Sequence, residues 1–454
     1  MLFQSQVSTV INAVFKQYLH QQAQARKNEA VKRIDYYRSE QDPYTLENIS
    51  QWSADPEKLT PCQINIVRKV INQLACVYIE PAKRTIEGGE KDQQLFDGIA
   101  RGSMLDAVMK QTSKYCKLLK TVLIRPVWRN NQIEIDLLTP DIVDVITGDS
   151  PRDLKSIMIT NYPASGKAEE VTYSVWTVEN FKRLDWNGNV VSTEDNPYGI
   201  LPFVPCWDSL PIDDFWIQGG GDLISAQTAI NEKLTDLLYT IRMQGFGVGW
   251  MKSANYGPQG LSEVGAGPGI GPGSFVHLEP GPDHGIGFES PGAPIQETWE
   301  VIRDIIQQVG IANGLSAHSL TAKVSDESGI SKIVSNQELM EKRRDDIELW
   351  RRYETQLFDI IKAVWNAHNT SKISDKAGIR VDFADLRNPD HEIEDASKWQ
   401  MLIDAGQASP IDWAISRNPD LNRETAKEYL TQVQRETAEL TTEKEKSTTF
   451  DFDN

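Results

Sequence analysis

The segment that determines the fold is GDLISAQTAINEKLTDLLYTIR, residues 221–242. Apolar residues recur there at three- and four-residue steps, which is the spacing of one face of a helix. Glycines precede the stretch, and Asp222 stands at its start, where an Asp side chain caps a helix by accepting backbone N–H groups. The sequence therefore predicts a helix over 222–242 with one apolar stripe, formed by Leu223, Ala226, Ile230, Leu234, Leu237, Leu238 and Ile241.

The next segment, GVGWMKSANYGPQGLSEVGAGPGIGPGSFVHLEPGPDHGIGFESPGAP (247–294), is rich in glycine and proline. This composition predicts loops and short strands rather than helix. A second amphipathic helix is predicted over 295–313, and a third, unusually long one from Ile330 to about His368. The first two helices can therefore lie antiparallel with the Gly/Pro-rich segment at their tip. The loop between the second and third helices, 314–328, is polar and is expected to carry little buried apolar surface.

The remaining sequence predicts an α+β fold that is predominantly helical. Residues 118–207 contain β-branched runs separated by polar turns at Arg129-Asn130-Asn131 and Asn187-Gly188, which indicates short antiparallel strands. Further helices are predicted over 1–40, 62–78, 93–117, 390–405 and 422–440, a strand over 379–386, a loop over 41–58 and a polar, frayed end over 441–454.

Composition argues against some classes of protein. The 454 residues include 65 acidic and 47 basic side chains, a net charge of −18. A surface that grips nucleic acid is basic, so this balance fits either an ordinary acidic protein or a surface past which DNA slides. The N-terminus lacks the layout of a secretion signal, and no apolar run approaches the roughly 20 residues of a membrane helix. We therefore expect a soluble protein without membrane contact, whose cysteines (Cys62, Cys76, Cys116 and Cys206) are reduced thiols.

No motif nominates a catalytic or metal site. The glycines of Gly265–Gly273 are interrupted by prolines and are not followed directly by a helix, unlike a dinucleotide-binding loop. Ser165-Gly166-Lys167 lacks the upstream glycine of a phosphate-binding loop. His277 and His284 lie close together without a cysteine to complete a zinc site. The prediction is a protein without catalytic residues, metal or cofactor.

The apolar stripes of the first two helices are wider than one partner helix covers. Their remaining surface can be buried against neighbouring copies of the chain, which implies a ring or another assembly. An ordinary monomeric helical core explains the same pattern, and these residues alone leave both interpretations open.

The order of these parts resembles that of the portal proteins of tailed phages over nearly the whole chain. The segment Ile200–Pro205 (ILPFVP), followed by Gly221–Asn231 with Asn231 after an Ala-Ile pair, is similar to the portal sequence that leads into the first stem helix. Ser328–Lys332 (SGISK), ahead of a long charged helix, is similar to the segment after the channel loop.

The resemblance implies a portal architecture of wing, stem, clip and crown, assembled as a ring. The wing would comprise 1–221 and 329–388, the stem helices 222–246 and 294–313, the clip 247–293, the tunnel loop 314–328, the crown 389–440 and a flexible tail 441–454.

The resemblance also implies a function. About 12 copies would form a non-enzymatic ring at one capsid vertex of the virion, assembled in the host cytoplasm, through which double-stranded DNA passes without sequence specificity. The implied partners are the terminase large subunit, the head-tail adaptor, and the major capsid and scaffold proteins. Four tunnel-loop residues would line the DNA channel (His318, Lys323, Asp326 and Glu327), and four clip residues would bind partner proteins (Trp250, Tyr256, Phe275 and His277).

Two other classes stay open at this point: a different capsid or connector protein, and a nucleotide-dependent enzyme with an atypical motif. The loop around Lys323 also has a simpler interpretation, as an exposed connector whose charges only keep it soluble.

Overall fold

The computed structural model describes residues 21–51, 59–244, 248–252, 275–278, 285–289, 292, 294–316, 319–320, 329–384, 389–417 and 422–448. The chain divides into two compact units, Met1–Ala384 and Asp385–Asn454.

The first unit combines helices with short strands, and helix is the larger share, as the sequence predicted. Its helices are α1 (Gln21–Arg38), α2 (Asp42–Ser50), α3 (Ile66–Leu74), α4 (Glu90–Gly102), α5 (Leu105–Leu119), α6 (Gly221–Gln244), α7 (Ile295–Ala312) and α8 (Gly329–His368), with a short 3-10 helix at Ala168–Glu170. Its strands are β1 (Lys83–Glu87), β2 (Thr121–Arg129), β3 (Gln132–Leu138), β4 (Val143–Thr147), β5 (Leu154–Asn161), β6 (Thr172–Trp176), β7 (Asn180–Leu184), β8 (Val190–Asp195), β9 (Val204–Trp207), β10 (Val248–Lys252), β11 (Phe275–Leu278), β12 (Gly285–Glu289) and β13 (Gly378–Asp382).

Two antiparallel sheets occupy the region that the sequence predicted to be rich in strands. One has the order β3-β2-β9 and the other β4-β5-β6-β7-β8. In the β2–β3 turn Asn130 and Asn131 have φ values of +51° and +59°. Two successive residues with positive φ are typical of a hairpin turn whose twist matches its strands, and Asn tolerates that backbone. The turn between β7 and β8 contains Gly188, at φ +83°. Both predicted hairpins are confirmed.

Several local predictions were wrong. The segment 41–58, predicted as a loop, contains α2, which has a proline in its first turn. The single helix predicted over 93–117 is two helices, because Met104 adopts a left-handed backbone (φ +51°) between α4 and α5. Helix α6 begins at Gly221, so Asp222 lies inside the first turn, where its charge still complements the helix dipole, instead of capping it. Strand β1, which pairs antiparallel with β13, was not predicted.

The long helix α8 buries a carboxylate in the core of the first unit. Glu354 is 1% exposed and accepts hydrogen bonds from Nε and Nη2 of Arg84, at 2.9 and 2.7 Å, and from the Tyr78 hydroxyl at 2.8 Å. Burial and the neighbouring Glu354 raise the pKa of Tyr78 well above its usual value, so the phenol stays a hydrogen-bond donor. The bidentate pair with Arg84 joins α8 to β1. The hydrogen bond from Tyr78 joins α8 to the segment that precedes β1.

Two more charged side chains of α8 attach it to other parts of the unit. Nζ of Lys117, on α5, lies 2.9 Å from Asp346 and 2.8 Å from Asp208, which follows β9. Burial disfavours the charged ammonium, but the two carboxylates outweigh it and raise the pKa of Lys117. Arg343 donates a hydrogen bond to the carbonyl of Ala384 at 2.6 Å. Charged contacts therefore hold the middle of the helix, between Arg343 and Glu354.

The second unit contains helices α9 (Pro389–Asp404), α10 (Pro410–Arg417) and α11 (Arg423–Thr448). Helix α10 lies in a stretch that the sequence left as a connector. It packs on α11, with Ala414 and Ala426 buried. Helix α11 continues past residue 440 to Thr448, so the first part of the predicted flexible tail is helical, which fits its content of Glu and Lys, both good helix formers.

Replacement of Glu354 by Ala should lower the free energy of unfolding by about 3–5 kcal/mol, because it leaves the Arg84 guanidinium buried without its carboxylate. Asp106 also contacts Arg84, but it is half exposed and compensates little. Glu348→Ala, at an exposed position on the same helix, serves as the control and should change stability by less than about 0.5 kcal/mol. Reversible denaturant unfolding measures both, and equal losses in the two variants would contradict the role of the ion pair.

Candidate assembly surface

Helices α6 and α7 form an antiparallel pair with a small sheet at one end. The two helices pack against each other. Strand β10 follows α6, β12 precedes α7, and the two strands pair antiparallel with Val248 opposite Glu289. The end of α6 therefore lies beside the beginning of α7, as the sequence predicted for a helical hairpin.

A buried polar network fixes the first half of α6 to the body of the unit. Asn231, which carried part of the portal resemblance, is 0% exposed and donates to the side chain of Gln41 at 2.6 Å. Gln227 donates to Asn231 at 2.7 Å and accepts from the backbone N–H groups of Ile66 and Val67 at the start of α3. Gln227 thus caps another helix from a distance. Sequence reasoning missed it; its position four residues before Asn231, on the same helical face, was the available signal.

The apolar stripe of the helix pair is covered only near the body. On α6, Leu234 and Leu237 are buried, whereas Leu238 is 49% exposed and Ile241 is also exposed. The first turns of α7 show the same pattern, with Trp299 39% exposed. We call Leu238, Ile241, Trp299 and the neighbouring exposed Val301 the exposed stripe.

The sheet at the tip is built around a tryptophan. The order is β11-β10-β12, and β10 runs parallel to β11. The Trp250 ring lies against the backbone of β12: a Cβ at Gly287 would stand 2.8 Å from it, and one at Gly285 would stand 3.3 Å away. Glycine at these positions lets the indole lie flat on the strand, which explains part of the glycine richness of this segment.

The predicted partner-binding residues of this tip are described in part. Trp250 is half-buried on β10. Phe275 and His277 lie two residues apart on β11, and Tyr256 lies outside the described residues.

The predicted channel residues His318, Lys323, Asp326 and Glu327 also lie outside the described residues. The described beginning of the same loop differs from expectation, because Leu315 and Leu320 are buried in the core. The loop was expected to carry little buried apolar surface. These two leucines were overlooked because polar residues surround them in the sequence.

In the described ranges no group of three or more His, Cys, Asp or Glu side chains is arranged to hold a metal ion. The four cysteines are free thiols, and burial raises the pKa of Cys116 and Cys206 well above the usual range, which disfavours the reactive thiolate. No helix in the described part of the chain is long and apolar enough to cross a membrane.

The succession of an α/β body, a helix pair with a β tip, a 40-residue helix and a separate helical unit is the one expected of a phage portal protein. The chain belongs to the phage portal protein family described as SPP1 Gp6-like, whose family model matches residues 16–439. The portal resemblance drawn from the sequence is thereby confirmed. The family is structural and non-enzymatic, which also confirms that the chain is not an enzyme.

Two solved structures are similar to this chain: one from the virion of a native gene transfer agent (GTA) particle and one from the neck of an empty GTA particle computed with C6 symmetry. Each is 13% identical to this chain and covers 77% of it, and the matches span 87% and 88% of those chains. Their TM-scores, 0.44 and 0.45, are too low to transfer any property to this chain. A comparison with curated protein sequences finds no match.

Replacement of Leu238 by Asp should weaken self-association of the purified chain without unfolding it, because the side chain is half exposed in the single copy and a charge there would have to be desolvated in an interface. Lys233→Ala, at an exposed position of the same helix outside the stripe, should leave association unchanged. Analytical ultracentrifugation over a range of concentrations measures both. Unaltered association of Leu238→Asp would show that the exposed stripe is not an interface.

Proposed function

We propose that this chain is the portal subunit of a tailed phage: a ring of about 12 copies at one capsid vertex, through which double-stranded DNA enters during packaging and leaves during ejection. Membership of the portal family supports this role. The alternatives, another connector protein or an atypical enzyme, have no comparable support.

The observation that carries the proposal of a ring is the exposed stripe. The apolar surface of the helix pair is buried near the body but exposed at the exposed stripe. Exposed apolar surface of this kind is stabilised when another molecule covers it. A ring built from one repeated head-to-tail contact gives every copy two neighbours, so both flanks of a helix pair are covered without a free end.

In this ring the described elements take the portal roles. Helices α6 and α7 form the stem and the sheet of β10, β11 and β12 belongs to the clip. Residues 314–328 form the tunnel loop, the rest of the first unit is the wing, and the second unit is the crown.

The clip is the docking site for the terminase large subunit during packaging and for the head-tail adaptor afterwards. Wing and crown meet the major capsid and scaffold proteins. Assembly takes place in the host cytoplasm and the ring remains in the virion.

The charge of the chain suits a channel through which DNA moves. Strong neutralisation of phosphates would hold the duplex in place, whereas a net charge of −18 per copy repels it from the wall. Lys323 makes a brief phosphate contact, and Asp326 and Glu327 limit how tightly DNA is held. His318 is the fourth channel residue of this loop. No base is read, so passage is independent of sequence.

Negative-stain electron microscopy and light scattering of the purified full-length chain test the ring directly. We expect closed rings of about 12 or 13 subunits. A stable monomer at high concentration would contradict the proposal.

Replacement of Lys323 by Glu should leave rings intact but lower the amount of DNA that particles package or retain, because it adds repulsion where the duplex is closest. Lys323→Arg keeps the charge and should behave as the wild type. DNA content per particle and phage yield are the measurements. Wild-type values for Lys323→Glu would remove Lys323 from the channel, and loss of rings would show that the loop is structural.

Deletion of Gly265–Gly273 should leave the wing folded and weaken attachment to the terminase or the adaptor, since it removes clip sequence only. Circular dichroism checks the fold, and pull-down with each partner measures docking. Undiminished docking and normal virion assembly would show that this segment is not part of the partner surface.

A further inference from the structure

The loop over residues 208–218, which we call the Ile212 loop, presents an isoleucine to solvent. Of the large apolar side chains in the described part of the chain, Ile212 is the most exposed, at 85%. The loop itself is anchored, because Pro211 is buried and Phe215 is 2% exposed. The carbonyl of Phe215 also accepts a hydrogen bond from Nε1 of Trp207 at 3.0 Å. An anchored loop that holds an apolar side chain in water is preorganised to insert it into a partner.

A cleft of about 350 Å³ opens between α1, α5 and the connection from β3 to β4. Its apolar lining is formed by Val31, Ile34 and Leu137, and Val31 is 43% exposed. Binding pockets in proteins commonly have volumes of roughly 300–1,000 Å³, so this cleft is at the lower end of the range. It therefore suits one inserted side chain rather than a large ligand.

Two polar groups of the cleft lack a partner among the described residues. Arg38 is exposed and makes no ion pair with them. The Oδ1 atom of Asp141 is buried and receives no hydrogen bond from them. The third charged lining residue, Asp35, accepts a hydrogen bond from the Tyr44 hydroxyl at 2.7 Å. An occupant of the cleft therefore has to bring a carboxylate for Arg38 and an N–H group for Asp141, because polar groups left unpaired in an interface weaken it.

The Ile212 loop and the cleft lie on opposite faces of α1. The guanidinium carbon of Arg26 stands 3.9 Å from the centre of the Trp216 ring, which belongs to the loop. Arg26 also attracts the carboxylate of Asp214 in the same loop. Asp35, which lines the cleft, follows Arg26 by nine residues, or about two and a half helical turns, so the two side chains leave the helix in opposite directions. Each copy can therefore offer its loop to one neighbour and its cleft to the other, which is the head-to-tail contact of a closed ring.

We infer that Ile212 of one copy enters the cleft of the next copy in the ring. Its side chain meets the apolar lining of the cleft, and burial of the two surfaces stabilises the contact. The exposed carboxylate of Asp213 then lies beside Arg38, and backbone N–H groups of the loop are available to Asp141. The inference rests on the proposed ring, and it adds a contact between the bodies of neighbouring copies to the one at the exposed stripe.

Cysteine cross-linking in assembled full-length rings tests the contact. Ile212→Cys combined with Val31→Cys should give a ladder of covalent oligomers after oxidation, because each copy is joined to two neighbours. Ile212→Cys combined with Glu348→Cys, at an exposed position of α8, should give none. If rings form in electron micrographs but the first pair gives no ladder, the contact is wrong and the ring stands. If no rings form, the ring proposal is wrong, and the contact fails with it.

A charge exchange tests the pairing of Asp213 with Arg38. Arg38→Asp and Asp213→Arg should each weaken self-association about tenfold, and the double variant should recover most of the loss. Ile212→Asp should weaken it at least tenfold without unfolding the chain, whereas Ser209→Asp, at an exposed position of the same loop, should not. Analytical ultracentrifugation measures association, and circular dichroism checks the fold. Additive losses in the double variant would overturn the pairing, and unaltered association of Ile212→Asp would overturn the insertion.

Discussion

The charges that helix α8 carries into the interior constrain this structure more than any other contacts. A buried charge without a partner costs several kcal/mol, so Arg343, Asp346 and Glu354 must each meet a specific group. Their partners come from Ala384 at the end of the first unit, from α5 and from β1. These contacts fix the rotation and the axial position of a 40-residue helix. Because α8 begins where the proposed tunnel loop ends, they also hold the helix that follows this loop.

The helix pair uses two kinds of surface for two purposes. Near the body, the network of Gln227 and Asn231 and the buried leucines hold α6 in one orientation. Buried polar groups must keep their hydrogen-bond partners, so they tolerate few alternative arrangements. The first half of α6 therefore packs in one way on the body of its own chain. Toward the tip the polar network ends, while the apolar stripe continues to Leu238, Ile241 and Trp299. Apolar surface is less selective about its partner, which suits a contact repeated between identical copies.

Elements with a strong local pattern could be predicted from the sequence. Helices α6, α7 and α8 were foreseen to within about two residues at each end that is described, because their apolar residues recur with helical spacing over many turns. The two hairpin turns were foreseen from Arg129-Asn130-Asn131 and Asn187-Gly188, although Arg129 itself pairs with Gln132 as the last residue of β2. Helix α2 and strand β1 are too short to show a period, and the division between α4 and α5 depends on the backbone of Met104 alone. The burial of Leu320 could not be foreseen, because its partner Gly310 lies on the preceding helix.

The sequence by itself determined the α+β class and the order of body, helix pair, Gly/Pro-rich tip and long helix, because these depend on periodicity, composition and the succession of segments along the chain. The portal family came from the resemblance of particular segments, such as Ile200–Pro205 and Gly221–Asn231, to known portal sequences. Only the tertiary structure decided that Gln227 caps α3, that Arg84 and Lys117 are ion-paired with α8, and that Leu320 of the predicted tunnel loop is packed on Gly310. The reason is physical: such contacts join residues far apart in the sequence, and whether a side chain is buried there depends on which surface the folded chain brings against it.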